Sequence, residues 1–435
     1  MAESAAPTAI GSVFVSNYPP YSAWKAEEVP AVHRMLQEPP RPGTSLGLYL
    51  HIPFCRRRCK FCYFKVHVDK NAGEIRRYMD ALGREVESYA RQAAVGGRPL
   101  RFVYFGGGTP SFVSARQLER LAKKVKAVLP WMDVEEVTFE CEPGTLTESK
   151  LQAIRGIGVT RLSLGVESFR DDILRENGRA HLAAEIERTI PWIEACGFEQ
   201  LNIDLIAGMV GETWESWRAS VQKTIDLGPD SVTIYQMELP YNTLYSRELL
   251  EGTARIRVAG WETKRAWQQH AFQQLEEAGF ALSSAYTMVK KKTGGRFVYR
   301  DELWHGGDML GVGIASFSHL NGIHFQNVSR WDDYLAGVEA GDLPLERAHV
   351  TSREDRLTRE LILCLKLGGL DAGALGRKFG VDILERYRPV LSRLEEEGML
   401  RVRQEQIELT RAGLMQVDRL LPGFYAPEHR NVRYT

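Results

Sequence analysis

The sequence predicts an α/β fold, a partial (β/α)6 barrel followed by a small C-terminal α+β domain of winged-helix type. From Leu46 onward, short apolar runs alternate with amphipathic segments, and this order favours a parallel sheet with helices outside it. The six strand–helix units found are too few for a complete barrel, so we expect an open one. Near the C-terminus, helical patterns are followed by a strand pair, as in a winged helix.

The barrel elements follow one another along the chain. The predicted strands are Leu46–Ile52, Phe102–Phe105, Glu136–Glu140, Arg161–Val166, Gln200–Ile206 and Ser231–Leu239. The predicted helices are Ile75–Ala90, Ala115–Leu129, Glu148–Arg155, Ala183–Cys196 and Trp214–Leu227. A long helix, Glu262–Gly279, then leads into mixed, strand-like sequence to about Asn327.

Two further regions flank the barrel. Predicted helices in the C-terminal region are Asp355–Leu367, Ala372–Lys378, Ile383–Gly398 and Gly413–Leu420, with strands Leu400–Val402 and Ile407–Leu409. Basic residues are matched there by acidic ones, which favours a lid or packing domain over DNA binding. The first 45 residues are rich in proline and aromatic residues, so we expect an extended arm whose rings pack on the main body. The predicted domains are an arm (1–45), a barrel (46–240), a barrel extension on the substrate side (241–345) and a lid (346–435).

The composition limits the class of protein. The 435 residues include 56 basic and 56 acidic ones, and 44% are apolar. This balance argues against general binding to nucleic acid or to an anionic membrane. The sequence has neither a run long enough to span a membrane nor a signal-peptide pattern at the N-terminus. We therefore expect a cytoplasmic monomer.

A cluster of cysteines directly follows the first predicted strand. Cys55, Cys59 and Cys62 form a C-x3-C-x2-C pattern. Iron–sulfur clusters are held by Cys thiolates, and a [4Fe–4S] cluster on only three of them leaves one iron free to bind a substrate. Zinc is the alternative, because His51 and His67 flank the loop, although zinc would normally take two pairs of ligands.

Polar and glycine residues follow the other predicted strands. Phe105-Gly-Gly-Gly-Thr-Pro110 comes after the second strand, and its missing Cβ atoms would let backbone amides approach a ligand closely. Ligands of barrels bind at the C-terminal ends of strands. The polar residues at those ends are Glu140, Glu142, Glu167, Arg179 and Asp204. Asp204 lies inside an apolar strand, so it is either the buried partner of an Arg or a ligand for a cationic or polyhydroxyl cofactor.

Together these motifs resemble the radical S-adenosylmethionine (SAM) enzymes, specifically the oxygen-independent coproporphyrinogen III oxidase-like group. The matching segments are Tyr49–Cys62, Gly106–Pro110, Leu162–Val166, Asn202–Ile206 and Leu310–Gly313. The resemblance implies a radical SAM barrel with a [4Fe–4S] cluster on Cys55, Cys59 and Cys62. It also implies that SAM binds the open iron and yields a 5′-deoxyadenosyl radical when an electron enters it.

The same resemblance implies two SAM molecules and a reducing electron donor such as flavodoxin or ferredoxin. Positions around the first SAM match Tyr49, Gly107, Glu140 and Phe317. Positions around the second match Phe61, Gly108, Thr109, Glu167, Arg179 and Asp204. The oxidase has Gln where this chain has Glu167. A carboxylate still accepts hydrogen bonds and would favour a cationic sulfonium.

Two departures bear on the reaction. The oxidase pattern has a fourth Cys where this chain has Phe64. The haem-chaperone branch has a His-Asn-x-x-Tyr-Trp stretch, matched here by Tyr299–Trp304, which has no imidazole. Other histidines lie nearby, namely His305, His319 and His324.

We therefore expect methyl or methylene transfer to an sp2 carbon of a small molecule, as in the radical SAM methyltransferase and cyclopropane-forming branch. The alternatives are oxygen-independent coproporphyrinogen III oxidation and a non-enzymatic haem chaperone. Tyr286 and the run Lys290–Lys292 are candidates for substrate contact, although a solvated loop explains them better. The sequence identifies no catalytic acid or base.

Overall fold

The computed structural model describes residues 8–131, 133–253, 256–292, 294–430 and 432. The strands are β1 (Leu46–Ile52), β2 (Leu100–Gly107), β3 (Glu136–Cys141), β4 (Arg161–Glu167), β5 (Gln200–Ala207), β6 (Ser231–Gln236), β7 (Phe280–Leu282), β8 (Thr287–Lys290), β9 (Asp308–Val312), β10 (Phe317–Leu320), β11 (Ile323–Asn327), β12 (Leu345–Val350), β13 (Gly369–Asp371), β14 (Leu400–Arg403) and β15 (Gln406–Leu409).

The helices are α1 (Val29–Leu36), α2 (Ala72–Ala90), α3 (Ala115–Val128), α4 (Glu148–Gly156), α5 (Asp171–Glu176), α6 (Ala183–Cys196), α7 (Trp214–Leu227), α8 (Leu244–Glu251), α9 (Trp261–Glu277), α10 (Val298–Trp304), α11 (Trp331–Ala340), α12 (Arg353–Leu365), α13 (Ala372–Phe379), α14 (Ile383–Arg386), α15 (Arg388–Glu396), α16 (Arg411–Leu414) and α17 (Val417–Leu420). Every predicted barrel strand and helix is present, with ends that differ by a few residues.

The main body is one twelve-stranded mixed sheet, in the order β12-β11-β10-β9-β1-β2-β3-β4-β5-β6-β8-β7. Strands β1 to β6 are parallel neighbours, as the α/β prediction requires. The sheet is wider than the six predicted strands, because β9 adds parallel to β1 and β8 adds antiparallel to β6. These added strands come from the region that the sequence marked only as strand-like.

The central strands curl into an open barrel. On a flat sheet β3 and β6 would lie about 14 Å apart, at roughly 4.8 Å per strand. Burial raises the pKa of Tyr235 on β6 and of Tyr49 on β1, and the Glu140 carboxylate on β3 contributes to both rises. The Glu140 side chain on β3 therefore lies close enough to side chains of β1 and β6 to act on both, as expected where strands curve around a common cavity.

The two faces of the barrel strands differ in polarity. Tyr49 pairs with Tyr104, Glu140 with Ser163, and Ser163 with Asn202, so polar residues share the inner face across neighbouring strands. The residues between them are apolar and fully buried, namely Leu50, Phe105, Phe139, Leu162, Leu164 and Ile203. Parallel strands are usually apolar on both faces. The polar inner face therefore indicates a cavity that holds ligands.

The N-terminal segment lies across the mouth of this barrel. Gly11 N donates to Leu239 O at 2.7 Å, the Phe14 ring lies 4.8 Å from that of Tyr286, and Tyr21 lies 4.2 Å from Phe317. The predicted packing of aromatic rings on the main body is confirmed, although residues 1–7 lie outside the described residues. The arm is not extended throughout, because it contains α1.

The C-terminal region contains a second sheet, of order β13-β15-β14, surrounded by α12 to α17. Two predicted helices are wrong in length. Ile383–Gly398 is divided at Tyr387 into α14 and α15, because Pro389 cannot donate an N–H to a continuing helix. Gly413–Leu420 is covered by the separate helices α16 and α17. No helix in the described part of the chain has the length and apolar character needed to cross a membrane.

Candidate active site

The three predicted cysteines come together in the loop after β1. Burial raises the pKa of the Cys55 thiol to about 11 and that of the Cys62 thiol to about 12, and the nearby Cys59 adds to both. Cys59 therefore lies close enough to both Cys55 and Cys62 to act on their thiols. Thiols that are buried away from water lose their protons when they bind a metal centre, because the metal takes the place of each proton.

Two side chains donate to these sulfur atoms. Thr109 Oγ1 lies 3.3 Å from Cys55 Sγ, and Arg179 Nη1 lies 3.3 Å from Cys59 Sγ. Groups that donate to ligand atoms orient them and tune the metal centre that they hold. The donor set of three thiols with two orienting partners fits an iron–sulfur cluster.

The arrangement does not favour zinc. Among the described residues, no three or more His, Cys, Asp or Glu side chains are placed to hold a single metal ion. A cluster of several irons is larger than one ion and therefore spreads its thiolate ligands farther apart. The His67 ring packs on Trp331 at 4.9 Å, and the His51 ring lies beside Tyr49, 6.1 Å between ring centres.

Ion pairs anchor the cysteine loop to the strand ends. Arg56 Nη2 lies 3.1 Å from Glu142 Oε1, and the same oxygen accepts from Gly144 N and contacts His181 Nδ1 at 3.1 Å. Glu142, which the sequence placed among the site residues, is therefore part of the support of the loop.

The backbone amides of the glycine-rich turn are hydrogen-bonded to Glu140 and to the loop after β1, so they are not free to bind a ligand. Gly107 N donates to Glu140 Oε2 at 3.1 Å, Gly108 N to Ile52 O at 2.9 Å and Thr109 N to Phe54 O at 2.8 Å. The expectation that these amides face a ligand is therefore wrong. A Cβ on Gly107 would lie 2.5 Å from the His51 ring, and one on Gly108 would lie 2.8 Å from the Pro53 carbonyl carbon. Glycine is needed here so that the loop after β1 can pack on the turn.

Three carboxylates face one another across the cavity. Burial raises the pKa of Glu140 to about 7; the hydrogen bond from Tyr104 opposes this rise and the Asp204 carboxylate adds to it. Burial also raises the pKa of Glu167 to about 7, with Arg179 opposing and Asp204 and Glu140 adding. Such a cluster of acids favours a ligand that carries positive charge.

Asp204 is both paired and accessible. Its carboxylate accepts from Ser163 Oγ and from Asn202 Nδ2, each at 2.9 Å. Burial raises its pKa, and the Arg161 guanidinium is the largest opposing influence. The hydrogen-bond partners of Asp204 are thus Ser163 and Asn202, whereas Arg161 acts on it through its charge, and the role of Asp204 as a cofactor ligand stays a prediction. Asp204 also retains part of its accessible surface.

Glu167 is turned into the cavity by a β-bulge. The pairing of β4 with β5 shifts between Gly165 and Glu167, and Glu167 has a φ of 64°, in the left-handed region. Bulges next to active sites re-aim side chains. The result places Glu167 Oε1 3.6 Å from Arg179 Nη2.

The remaining predicted residues lie in different surroundings. Tyr49 packs on Tyr104 at 5.7 Å between ring centres. Phe317 lies beneath the arm, next to Tyr21. Phe61 is half-buried against a separate apolar cluster that includes Met209.

Tyrosines around the cavity were missed by the sequence reasoning. Tyr63 is 37% exposed and Tyr235 41% exposed, yet burial raises the pKa of both and Glu140 contributes to each. They therefore line an internal space that solvent reaches. Tyr299 packs on Tyr104 with tilted rings, 4.3 Å between ring centres, and completes this lining. The sequence signal that could have indicated the cavity face of the strands is the spacing of polar residues at every second position.

The candidate residues for substrate or haem contact do not come together in one site. Tyr286 donates to Asp418 Oδ2 at 2.5 Å, whereas Lys290 donates to Gly228 O at 2.8 Å, at the far end of β8. His319 Nδ1 and His324 Nδ1 lie 3.0 Å apart and both are buried, so neither is free to bind haem. His305 is exposed, with Nδ1 2.7 Å from Asp301 O.

Comparison with known proteins gives a consistent family. Residues 49–223 match the radical SAM superfamily, and residues 351–415 match the HemN C-terminal domain. The chain is 26% identical over 373 residues to the heme chaperone HemW of Bacillus subtilis, covering 84% of this chain and 95% of that protein. It is also 26% identical over 411 residues to the anaerobic coproporphyrinogen III oxidase 1 of Cereibacter sphaeroides, covering 89% of each.

A solved structure has the same fold. Coproporphyrinogen III oxidase (HemN) from Escherichia coli aligns with a TM-score of 0.82 and 22% identity, over 94% of this chain and 96% of that one. The predicted α/β fold class is confirmed, and so are the [4Fe–4S] cluster and SAM as cofactors. None of these three relatives is a methyltransferase, so they give no support to the expected methyl transfer.

Proposed function

We propose that this chain, which belongs to the radical SAM superfamily and carries a HemN C-terminal domain, oxidises a porphyrinogen-type tetrapyrrole. The observation that carries the cofactor part of the proposal is the contact of Arg179 with both Cys59 and Glu167. It joins the cysteine loop to the carboxylate cavity. SAM carries a positive sulfonium and a positive ammonium group, which suit a cavity lined by carboxylates. The choice of a porphyrinogen rests on the names of the relatives.

The cofactor chemistry takes place beside the cysteine loop. Cys55, Cys59 and Cys62 would hold the [4Fe–4S] cluster, which would supply the electron for reductive cleavage of SAM. We assign the first SAM to Tyr49, Glu140 and Phe317, with Gly107 shaping the turn. We assign a second SAM to the part of the cavity around Glu167, Arg179 and Asp204. Of the other positions that the resemblance implies for it, Gly108 and Thr109 shape the turn that holds the cysteine loop, and Phe61 lies within that loop.

The cavity lining supports a large, flat ring substrate. Tyr63, Tyr235 and Tyr299 present broad aromatic surfaces with polar ends, which suit flat rings with polar substituents.

The named activities of the relatives favour porphyrinogen oxidation over methyl or methylene transfer. The same relatives include a haem chaperone, but the paired and buried His319 and His324 argue against haem binding at those residues. The proposal further includes a protein electron donor such as flavodoxin or ferredoxin. We also propose that the protein is a monomer and that it is located in the cytoplasm. The cytoplasm is a reducing compartment, which a thiolate-bound cluster needs.

The test uses anaerobic full-length protein with a reconstituted cluster, SAM, dithionite, coproporphyrinogen III and an added one-electron acceptor. The expected products are 5′-deoxyadenosine, carbon dioxide and a vinyl group in place of a propionate. One hydrogen atom leaves the propionate for the adenosyl group, and the remaining electron passes to the acceptor. S-adenosylhomocysteine would instead indicate methyl or methylene transfer, and a Soret band on mixing with haem, without SAM cleavage, would indicate a haem carrier.

Two variants test the cluster itself. Cys59→Ala is expected to lose both iron and SAM cleavage, because one of three thiolates is removed. Cys196→Ala removes a cysteine in α6, outside the loop, and is expected to keep both. Retention of iron and cleavage by Cys59→Ala would contradict the assignment.

A further inference from the structure

We propose that Arg179 couples the reduction potential of the cluster to the charge present at Glu167. The inference rests on the proposed function because it requires the cluster at Cys55, Cys59 and Cys62, but it does not depend on the substrate. In this role Arg179 is a positioning and tuning residue for the cofactor rather than a group that takes part in the chemical step.

One guanidinium contacts both sites. Arg179 Nη1 donates to Cys59 Sγ at 3.3 Å, while Nη2 donates to Gly165 O at 2.7 Å and lies 3.6 Å from Glu167 Oε1. The two side chains are 11% and 12% exposed. Solvent therefore screens their interaction weakly, and charge at one end is felt at the other.

The turn that carries Arg179 is held firmly against the cysteine loop. Arg179 N donates to Leu174 O at 2.9 Å, and Lys60 N, inside the cysteine loop, donates to Asn177 O at 3.1 Å. The Asn177 side chain donates to Ile173 O at 2.8 Å and to Val210 O at 2.9 Å. These bonds keep the guanidinium from swinging away from Cys59.

Glu167 is also held in place by the fold. A non-glycine residue with a φ of 64° is strained, and such strain is found where the surrounding structure imposes it. A Cβ on Gly165 would lie 3.1 Å from Glu167 Oε1 and 3.3 Å from Arg179 Nη2, so glycine leaves the space in which these two groups meet. The contact of Arg179 with Glu167 is thus built into the bulge.

The physical consequence concerns electron entry. Hydrogen bonds to cluster sulfur atoms and nearby charge set the reduction potential of iron–sulfur clusters. The positive charge of Arg179 favours the reduced cluster, and the Glu167 carboxylate offsets part of that charge. A cationic ligand beside Glu167, such as the sulfonium of a second SAM, would cancel the carboxylate. The cluster then accepts an electron more readily when this subsite is filled, and by linkage reduction tightens binding there.

The experiment is a redox titration of the cluster, followed by electron paramagnetic resonance, with full-length reconstituted protein and neither SAM nor substrate. At a pH above 7, where the Glu167 carboxylate is ionised, Glu167→Gln keeps the side-chain size and removes the negative charge, so the midpoint potential of the cluster is expected to rise. Arg179→Gln removes the positive charge and the charged donor, so its potential is expected to fall. We expect each change to alter the one-electron equilibrium about tenfold, which corresponds to about 59 mV.

A control and a double variant complete the design. Arg175→Gln removes an arginine of α5 that is 61% exposed and paired with Asp171, and it is expected to leave the potential unchanged. In an Arg179→Gln background, Glu167→Gln is expected to change the potential less than it does alone.

The outcomes are distinct. Equal potentials in the wild type and Glu167→Gln, or fully additive effects in the double variant, would overturn the coupling. If Arg179→Gln holds no iron, two variants still provide the test. They are Glu167→Gln and Arg179→Lys, which keeps the positive charge without the planar guanidinium. Failure to turn over a porphyrinogen would leave these potentials measurable, whereas a wild type that binds no cluster would overturn the proposed function itself.

Discussion

The phenol of Tyr104 donates a hydrogen bond of 2.7 Å to Glu140 Oε1, from the neighbouring strand of the barrel. Burial raises the pKa of Glu140 to about 7, and this bond limits the rise. The ionised fraction of Glu140 at neutral pH therefore depends on Tyr104. A cationic ligand in the proposed first SAM site would be sensitive to that dependence.

Tyr104→Phe is expected to weaken SAM binding about tenfold, which corresponds to about 1.4 kcal/mol. Hydrogen bonds to charged groups contribute about 1.5–3 kcal/mol, and part of that is lost from the orientation and charge of Glu140. The measurement is equilibrium dialysis of SAM with reconstituted protein. Tyr89→Phe is the matched control, because the buried Tyr89 hydroxyl has no hydrogen-bond partner among the described residues. An unchanged affinity for SAM in Tyr104→Phe would contradict the assignment of Glu140 to the SAM site.

Gly107→Ala is expected to reduce both stability and iron content. Gly107 has a φ of 111°, and a Cβ there would lie 2.5 Å from the His51 ring. Gly97→Ala separates the two causes, because Gly97 has a φ of 74° but open space around the position of its Cβ. We expect Gly97→Ala to cost about 1 kcal/mol through backbone strain alone. Iron analysis and thermal unfolding distinguish them; an equal loss in both variants would mean that the clash with His51 has no effect.

Asp418→Ala is expected to loosen the N-terminal arm. Asp418 Oδ1 lies 3.0 Å from Lys366 Nζ and accepts from Val15 N at 3.0 Å, and the Lys366 side chain is fully buried. Removing one member of a buried pair leaves an uncompensated charge, which costs about 3 kcal/mol. Urea unfolding measures the loss, and limited proteolysis measures release of the arm. Adding Lys366→Met is expected to restore only part of the stability, because Lys366 Nζ also donates to Val15 O in the arm. No recovery at all would show that the uncompensated charge is not the cause of the loss.

Glu85→Gln is expected to change how stability depends on pH. Burial raises the pKa of Glu85 to about 7, against hydrogen bonds from Tyr334 OH at 2.6 Å and Gly313 N at 2.9 Å. In an unfolded chain the pKa of Glu is about 4.3. The folded state binds the proton more tightly, so this contribution to stability is fully present below about pH 4.3 and is lost as the pH rises through about 7.

Denaturant unfolding of the cluster-free protein between about pH 5 and pH 8 measures this slope. Glu140 and Glu167 have the same sign of pKa shift and add to the slope of the wild type. The Glu85→Gln variant should therefore show a shallower decline rather than a flat one. Glu119→Gln, on the exposed face of α3, should behave like the wild type. Identical slopes in wild type and Glu85→Gln would contradict the protonated, buried Glu85.

Local pattern was enough to predict much of this protein. The strands β1 to β6, most helices and the loop of Cys55, Cys59 and Cys62 follow from residue spacing, because each is defined within a short stretch of chain. The placement of polar residues at the ends of the predicted strands also follows from the local sequence. These features depend on neighbouring residues, so the sequence alone determined them.

Only the tertiary structure decided features that need distant partners. β9 pairs with β1 from more than 250 residues away, a pairing that no local pattern could indicate. The bulge that turns Glu167 inward arises from the register between β4 and β5. Asp204 accepts hydrogen bonds from Ser163 and Asn202, and the amides of the glycine turn donate to Glu140 and to the loop after β1. In each case the outcome depends on which groups the folded chain brings within hydrogen-bonding or Coulombic distance, and that choice is made by the whole fold.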